Sequence, residues 1–558
     1  MEETTIIKSI NCQTCKQSFD ITDWDQAFYK KIDAPEPVDC YHCRQQRRQA
    51  YRNERNLYND QCDKCDKKML SIYSEEKALP TYCSDCWWGD NWDPIEYGKD
   101  FDFSRPFFEQ WNELWQSVPK LGLITLGEME NSEYSHDAMK LKNCYLTFDG
   151  EQATDCMYGE TFHLLKDCVD FLWLQQSELC YEIVNCTNCY NLEYSQFCTN
   201  CSESKFLQDC VGCKNCLGCV NRCHAEYEIF NKKYSKEEYE EKLKTFGLHE
   251  HNNIQKFKEE FKTFASAQPK KSMRGLQNEN VTGDNLSNSK DSFHCFDSND
   301  LHDCKYMTNC VLKANDSMDI DIWGNGMELC YNCECAGEGA HKIFGSFYCA
   351  FNVHDCYNCA FCWQSCNNLL GCVNLKHKTH CILNKQYSPE EYENLFARIK
   401  EHMIKTGEWM QFFPMWTSPF GYNETVAQEY FPLEKDQALA LNAKWKEKNM
   451  SNYKHIDFTP PNTIAETTDE ILQTTISCEK CSKNYRITSP ELKFYRKKNI
   501  PVPRQCSDCR HTARMQLRNP RHLYTRNCDK SEAKLQTTIS PKRPEKILSP
   551  EEFVKEYF

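Results

Sequence analysis

Cysteine pairs with the spacing Cys-x2-Cys recur near both ends of the sequence, four near the amino terminus and two near the carboxy terminus. On a tight turn such a pair places two thiolates about 3.5 to 4 Å apart, so two pairs complete the tetrahedron that Zn²⁺ prefers. Four thiolates leave no open coordination position for water, which argues against a catalytic metal. The pairs predict three structural zinc ions, held by Cys12, Cys15, Cys40 and Cys43, by Cys62, Cys65, Cys83 and Cys86, and by Cys478, Cys481, Cys506 and Cys509.

The two ends of the chain repeat each other. A shift of 466 residues, without a gap, superposes the first cysteine quartet on the third and also matches Phe28 with Phe494. Such self-similarity indicates a duplicated module. In the carboxy-terminal copy of the second quartet, Ser531 replaces the partner of Cys528 and no later cysteine follows, so no fourth zinc site is expected.

The segments around these cysteines resemble a known family. CQTC, FDIT, DQAFYKKI, PEPVDC and YHCRQQRR, with their counterparts CEKC, YRIT, LKFYRKK, PVPRQC and SDCRHTAR, are similar to the probable zinc-ribbon family found in many uncharacterised bacterial proteins. The resemblance covers residues 12–55 and 478–521. It implies zinc binding by the quartets and little about the process that the protein serves.

Arginines follow the last cysteine pair of each end module. Spacings of four, four and three residues would place each set within about 80° of arc on a helix, although Pro520 should end the second helix before its last arginine. A guanidinium stripe of this kind suits phosphate contact. The two stripes are Arg510, Arg514, Arg518 and Arg521 in the carboxy-terminal copy and Arg44, Arg48, Arg52 and Arg55 in the amino-terminal copy. The candidate nucleic-acid-binding residues are the four carboxy-terminal arginines together with Arg44, Arg48 and Arg52.

Charge is unevenly distributed along the chain. Residues 478–530 carry 14 Lys and Arg against 4 Asp and Glu, a net charge of +10, whereas the whole chain is −15 and the remainder is therefore −25. This asymmetry predicts that the basic module either contacts RNA or DNA or docks on the acidic body of its own chain. Nucleic-acid contact through the carboxy-terminal module is the preferred hypothesis.

The middle of the sequence spaces its cysteines at multiples of six. They fall at positions 144, 156, 168, 180, 186, 198, 210 and 216, often directly after Asn or Asp. Helices do not give that period, whereas short strands alternating with Asn or Asp turns do. We predict a narrow parallel β-solenoid of about 12 residues per coil, with about 18 as the alternative, in which small cysteine side chains stack along the lumen.

A second solenoid should follow the first, because Gly371-Cys372 repeats Gly218-Cys219 at an offset of 153 residues. A helix carrying Trp111 is expected to cover the open end of the first solenoid, with a partner's groove as the alternative. The fold class is mainly β and multidomain: terminal four-cysteine zinc ribbons flank two cysteine-rich parallel β-solenoid segments with helical connectors. The predicted segments are a zinc ribbon with its Arg-rich helix (1–55), a second ribbon (56–100), the aromatic helix and solenoid cap (101–142), the first solenoid (143–243), a helical connector (244–280), the second solenoid (281–396), a helical and loop connector (397–470), a zinc ribbon with its Arg-rich segment (471–530) and a degenerate ribbon tail (531–558).

One stretch of the first solenoid permits a different chemistry. Cys213, Cys216, Cys219 and Cys223 have the C-x2-C-x2-C-x3-C spacing of a ferredoxin cluster, so an iron–sulfur or soft-metal redox protein is an alternative. Against it, His224 stands where proline would follow, and three of the four cysteines continue the solenoid period.

The sequence contains none of the common enzyme motifs and no run of 18 apolar residues, and no signal peptide is visible. The 39 cysteines are therefore expected to stay reduced in a cytoplasmic protein without membrane contact. Two non-enzymatic scaffolds remain, one that contacts RNA or DNA and one that binds a protein partner. The oligomeric state is open.

Overall fold

The computed structural model describes residues 5–557, apart from the side chains of residues 335 and 336. Residues 1–4 and residue 558, at the ends of the first and last predicted segments, lie outside the described residues. The chain is rich in strands, and helices occur mainly at its ends and between its two strand-rich regions. Short 3-10 turns lie at Glu75–Lys77, Pro94–Tyr97, Met415–Thr417, Tyr422–Glu424, Met450–Asn452 and Asp469–Leu472.

The amino-terminal region contains two ribbon modules followed by an aromatic helix. Its elements are β1 (Ile6–Asn11), β2 (Ser18–Thr22), α1 (Asp23–Lys31), α2 (Tyr41–Gln49), β3 (Tyr58–Gln61), β4 (Lys68–Ser71), β5 (Thr81–Tyr82), α3 (Ser84–Trp88), α4 (Phe107–Ser117) and β6 (Lys120–Leu121). In each module an antiparallel hairpin carries the first cysteine pair, and the start of a short helix carries the second. The hairpin turn and the helix start therefore present the two pairs to each other.

The first strand-rich region, called here the first ladder, is a sheet of eleven strands in sequence order. They are β7 (Thr125–Glu130), β8 (Ser135–Lys142), β9 (Tyr145–Thr154), β10 (Met157–Lys166), β11 (Val169–Glu178), β12 (Tyr181–Thr187), β13 (Tyr190–Gln196), β14 (Ser202–Lys205), β15 (Lys214–Leu217), β16 (Glu226–Ile229) and β17 (Lys232–Lys233). Met157 pairs in parallel with both Tyr145 and Val169, so each step along the ladder is 12 residues. This step agrees with the shorter of the two predicted coil lengths.

A three-residue pattern underlies the 12-residue step. Cys144, Cys156 and Cys168 are buried, and the residue directly before each of them has a positive φ angle. The φ angle is 53° at Asn143 and 55° at Asp155. Positive φ recurs at every third position through most of the ladder, so the chain turns before each inward-pointing side chain. Asn and Asp tolerate this left-handed conformation better than most residues, which explains why they so often precede cysteine in the sequence.

The second strand-rich region, called the second ladder, has the same parallel pairing but is less regular. Its strands are β19 (Gly275–Leu276), β20 (Glu279–Ser287), β21 (Lys290–Asn299), β22 (Leu301–Lys305), β23 (Ala314–Met318), β24 (Ile320–Trp323), β25 (Cys333–Ala336), β26 (His341–Phe344), β27 (Phe347–Cys349), β28 (His354–Tyr357), β29 (Asn367–Leu370), β30 (Thr379–Ile382) and β31 (Lys385–Gln386). They form sheets of five, three and five strands. Pairs such as His341 with His354 step by 13 residues, and Asn367 with Thr379 by 12.

The remaining elements connect the ladders and build the carboxy-terminal region. They are α5 (Lys236–Thr245), α6 (His251–Ala267), β18 (Lys270–Lys271), α7 (Pro389–Thr406), α8 (Val426–Tyr430), α9 (Lys435–Ala440), β32 (Ile476–Ser477), β33 (Asn484–Tyr485), α10 (Ser489–Lys498), α11 (Ser507–Met515), β34 (Tyr524–Asn527), β35 (Lys534–Thr537), β36 (Ile547–Leu548) and α12 (Pro550–Tyr557). The predicted capping boxes at Ser235 and Ser388 begin α5 and α7 as expected.

The aromatic helix α4 does not cover the open end of the first ladder, as the sequence suggested. Trp111 and Trp115 pack against Phe347 of the second ladder, with ring centroids 6.3 and 5.6 Å apart. The first ladder is covered instead by α6, whose Phe257 lies against Phe206. The amphipathic pattern of α4 correctly indicated a buried face, but a pattern cannot specify which of two similar ladders receives it.

Candidate metal centres and arginine clasps

The three predicted cysteine quartets are assembled. In each, the four sulfur atoms lie within 4.8 Å of one another. The Sγ–Sγ distance is 3.8 Å between Cys15 and Cys40, and 3.7 Å between Cys481 and Cys506. A tetrahedral Zn²⁺ with bonds of about 2.3 Å requires sulfur atoms about 3.8 Å apart, so the arrangement fits. The structure therefore contains three four-cysteine groups that could hold metal ions.

Backbone donors favour the ionised thiol of Cys62 and of Cys478, whereas burial raises the pKa of other quartet cysteines such as Cys12 and Cys83. Burial alone would raise the pKa of Cys62, but backbone N–H groups of Cys83, Lys64 and Cys65 donate to its sulfur, and the net effect lowers that pKa to about 7. The same opposition of burial and backbone donors lowers the pKa of Cys478 to about 7. Because thiolates are the form that binds a metal ion, these sulfurs are prepared for one.

A fourth ribbon module exists with only one of its four cysteines, Cys528. The 466-residue shift places Ser549 and Glu552 where the second quartet has its last two cysteines. The frame is retained, because Ile547 N–H donates to Asp529 over 2.6 Å, the length of the matching bond between Thr81 N–H and Asp63.

The fourth module contains ion pairs and backbone hydrogen bonds at the positions that correspond to the second quartet. The ammonium of Lys530 lies 3.3 Å from Glu552 and 3.4 Å from Glu556, and Cys528 accepts backbone hydrogen bonds from Ser531 and Ser549. The module therefore has the backbone arrangement of the second ribbon without a set of four cysteines.

The amino-terminal arginines are buried against carboxylates of the second ladder. Arg44 donates to both oxygens of Asp319, over 2.5 and 3.2 Å, and Arg48 donates to Asp321 over 2.6 Å. These four side chains are at most 4% exposed. We call this set of contacts the amino-terminal clasp. Arg52 extends it, 2.8 Å from Glu334 and in contact with Glu54.

The carboxy-terminal arginines make the equivalent contacts with the first ladder. Arg510 and Arg514 each lie 2.8 Å from Asp170, which is completely buried. Arg518 and Arg521 both pair with Asp297 at the start of the second ladder. We call this set the carboxy-terminal clasp. Two arginines on one carboxylate form a charge-assisted network that water does not screen.

These positions correct the sequence interpretation in two respects. The predicted phosphate contacts require exposed guanidinium groups, whereas all seven candidates, Arg44, Arg48, Arg52, Arg510, Arg514, Arg518 and Arg521, are at most 9% exposed in their side chains and paired with the chain's own carboxylates. Their helices are also shorter than predicted, since α2 ends at Gln49 and α11 at Met515. The alternative, docking on the acidic body, is what the structure contains.

The first helix of each end module packs on the ladder that is distant from it in sequence, although Arg518 and Arg521 of the carboxy-terminal module pair with Asp297 of the second ladder. Tyr29 of α1 contacts Tyr331 of the second ladder with centroids 5.4 Å apart, and its counterpart Tyr495 of α10 contacts Tyr181 of the first ladder at 5.9 Å. The two modules also meet, since His42 Nε2 lies 2.8 Å from His522 Nδ1. The two duplicated halves therefore exchange contacts, because the first helix of each end module packs on the ladder of the other half.

A mixed cluster lies where the two modules meet. Ligand atoms of Glu160, Glu429 and His511 lie within 4.8 Å of one another. Arg55 already pairs with Glu160 over 3.4 Å, and burial lowers the pKa of His511 to about 3, which keeps the imidazole neutral. Arg55 supplies the positive charge that a metal ion would otherwise bring, so the cluster is a structural network.

The ladder cysteines differ from the ribbon cysteines in how their sulfur atoms are arranged. Cys168 is completely buried, and its thiol donates to the carbonyl of Lys166 over 3.3 Å. Burial raises its pKa well above the usual value. No group of three ladder cysteines among the described side chains brings its sulfurs within the 4.8 Å that the ribbon quartets achieve. The described ferredoxin-like stretch accordingly lacks an assembled ligand set.

The described residues thus define a strand-rich protein with three four-cysteine groups that can hold metal ions. Beyond that class, known proteins add nothing, because no family model and no curated protein matches the chain. Between residues 5 and 557, no helix combines the length and apolar character needed to cross a membrane.

Proposed function

We propose that this chain is a non-enzymatic zinc-bound scaffold in which terminal zinc ribbons clamp two β-solenoids together and the acidic solenoid faces bind a basic protein partner. The observation that carries the proposal is the pairing of the stripe arginines with ladder carboxylates. This pairing gives the zinc ribbons a role in holding the chain's own domains together, because each end quartet positions the helix whose arginines form a clasp.

The solenoid interpretation is supported by the pairing of the ladder strands. Parallel partners 12 residues apart, with a turn at every third residue, return the chain to the same side after four turns. A coil of four three-residue sides has room for four small or medium side chains, which suits cysteine. The described ladder cysteines other than Cys333 are free thiols, which suits a reducing, cytoplasmic setting.

Zinc is the metal that best fits the quartets. Four thiolates in tetrahedral positions suit zinc or iron, and the resemblance to zinc ribbons favours zinc. Each filled quartet carries a formal charge of −2. Three filled quartets therefore change the net charge of the chain from −15 to −21.

A protein partner is favoured over nucleic acid by this charge and by the occupied clasps. A strongly acidic surface repels phosphates and attracts basic polypeptides. The two best-formed clefts have room for about one water molecule each, which supports a binding role without catalysis.

Fluorescence anisotropy with labelled RNA, duplex DNA and a lysine-rich peptide tests the proposal. The full chain at low salt should bind the peptide and neither nucleic acid, whereas a fragment spanning residues 470–530, whose arginines are uncovered, should bind RNA or DNA. Equal nucleic-acid affinity of fragment and full chain would overturn the choice of partner. Lack of peptide binding would overturn the role of the acidic faces.

A further inference from the structure

The second ladder carries a cluster of nitrogen and oxygen ligands far from any cysteine quartet in sequence. Ligand atoms of His341, His354 and Asp355 all lie within 4.8 Å of one another. Two imidazoles and one carboxylate suit zinc and related divalent transition metals. We propose that these three side chains form a fourth metal site, on the surface of the ladder and chemically distinct from the ribbons.

The ladder itself brings the two histidines together. His341 begins β26 and His354 begins β28, and the two residues are direct partners in a parallel strand pair. Their rings are stacked, with centroids 4.8 Å apart and planes inclined by 12°. Residues 13 positions apart in the sequence thus present the same side chain at neighbouring levels of one rigid surface.

Asp355 completes the set from the adjacent position. Its φ of 51° turns the chain directly after His354, and His354 Nδ1 lies 3.0 Å from Asp355 Oδ2. Ligands of an ion with bonds of about 2.0 to 2.2 Å lie about 3 to 3.5 Å apart, so this pair already has a suitable separation. His341 must rotate its ring to point a nitrogen at the same centre, a change that exposed side chains make within nanoseconds.

The surroundings allow a hydrated ion to reach the site. His341 is exposed, and the side chains of His354 and Asp355 are 36% and 32% exposed. Three protein ligands leave at least one position for water, in contrast to the closed cysteine quartets. Lys342 lies 3.7 Å from the other carboxylate oxygen of Asp355, so its ammonium opposes the binding of a cation.

Titration calorimetry with zinc chloride tests the site in the full-length protein, after its ribbons have been filled and loosely held zinc has been removed. The wild type should take up one further equivalent. His341→Ala and His354→Ala should each weaken this binding by at least about tenfold, and Lys342→Met should strengthen it. His163→Ala is the matched control, because His163 pairs with Glu151 over 3.2 Å on the first ladder with similar exposure but has no second histidine beside it.

Chemical modification with diethyl pyrocarbonate, read by mass spectrometry, locates the ion independently. Zinc should protect His341 and His354 and leave His163 reactive. Failure of the wild type to bind a further equivalent would overturn the proposal. Equal binding by the wild type and by both histidine variants would overturn it as well, and zinc retained in the ribbons of each variant confirms that the comparison is between folded proteins.

Discussion

Cysteine serves opposite purposes in the ribbons and in the ladders. In the ribbons, backbone donors lower the pKa of Cys62 to about 7 and four sulfurs converge. In the ladders, burial raises the pKa of Cys168 and its thiol donates to a carbonyl within the coil. Spacing alone does not separate the two groups, because pairs with two residues between them, such as Cys198 and Cys201, also occur in the ladders. The contrast shows that local backbone geometry decides whether a thiol is a ligand or a packing group.

The largest expected effect concerns the degenerate fourth module, where added cysteines would test whether the backbone of a ribbon is sufficient for metal binding. Substituting Ser531→Cys, Ser549→Cys and Glu552→Cys together would give Cys528 the three partners that its module lacks. Because the hydrogen-bonded frame is retained, we expect this variant to hold one additional zinc ion through dialysis. Metal analysis measures the count. An unchanged count would show that the frame alone does not make a ribbon competent for metal.

Breaking a clasp should produce the next largest effect. Asp170→Ala removes the carboxylate that Arg510 and Arg514 share and leaves Arg510 only the more distant Glu491, 3.6 Å away, which should lower the free energy of unfolding by about 3 to 5 kcal/mol. Urea denaturation measures the loss. Glu113→Ala is the control, because its pair with Arg105 is about half exposed and should change stability little. Similar losses in both variants would contradict the claim that the clasp holds the carboxy-terminal ribbon.

The amino-terminal clasp contains a glutamate, Glu334, whose pKa is raised by burial, as the pKa of the ladder thiol Cys168 is. Burial raises the pKa of Glu334 to about 8, although Arg52 lies 2.8 Å away, and Arg52 also contacts Glu54. In the unfolded chain a glutamate titrates at about 4.3. Between these pH values the folded state holds a proton that the unfolded state releases, so the free energy of unfolding falls as pH rises and levels off above about pH 8.

Glu334→Gln should remove this part of the pH dependence. Urea unfolding of wild type and variant from about pH 5 to 8 should show a shallower slope for the variant. Parallel slopes would mean that Glu334 is already ionised in the folded protein and fully compensated by Arg52.

The smallest expected effects concern the ladder interior. Cys168→Leu should lower the free energy of unfolding by about 1 to 3 kcal/mol, because Leu165 and Phe171 already fill the neighbouring inward positions. Cys168→Ser should cost less, since Ser177 occupies another inward position and donates to the carbonyl of Gln175 over 2.7 Å. Thermal denaturation compares the two variants. A larger loss for serine than for leucine would place Cys168 in a different environment.

Much of this architecture could be predicted from the sequence, and the failures share one cause. The four-cysteine groups follow from the paired cysteines at the two ends of the chain, and the 12-residue step follows from the cysteine period and the preceding Asn or Asp. The arginine stripes were found, but their partners Asp170 and Asp319 lie hundreds of residues away. The sequence pattern of a segment shows which side chains share one face of a helix or strand. Whether that face is buried depends on contacts with segments hundreds of residues away, which the pattern of one segment does not contain.

The most direct test of the contrast between ribbon and ladder cysteines combines metal analysis with thiol alkylation. The dialysed protein should contain three zinc ions per chain. Removal of zinc by a chelator should make the twelve quartet cysteines reactive towards iodoacetamide, while Cys168 and Cys210 stay protected in the ladder. Iron in place of zinc, fewer than three tightly held ions, or alkylation of the ladder cysteines together with the quartets would contradict the account.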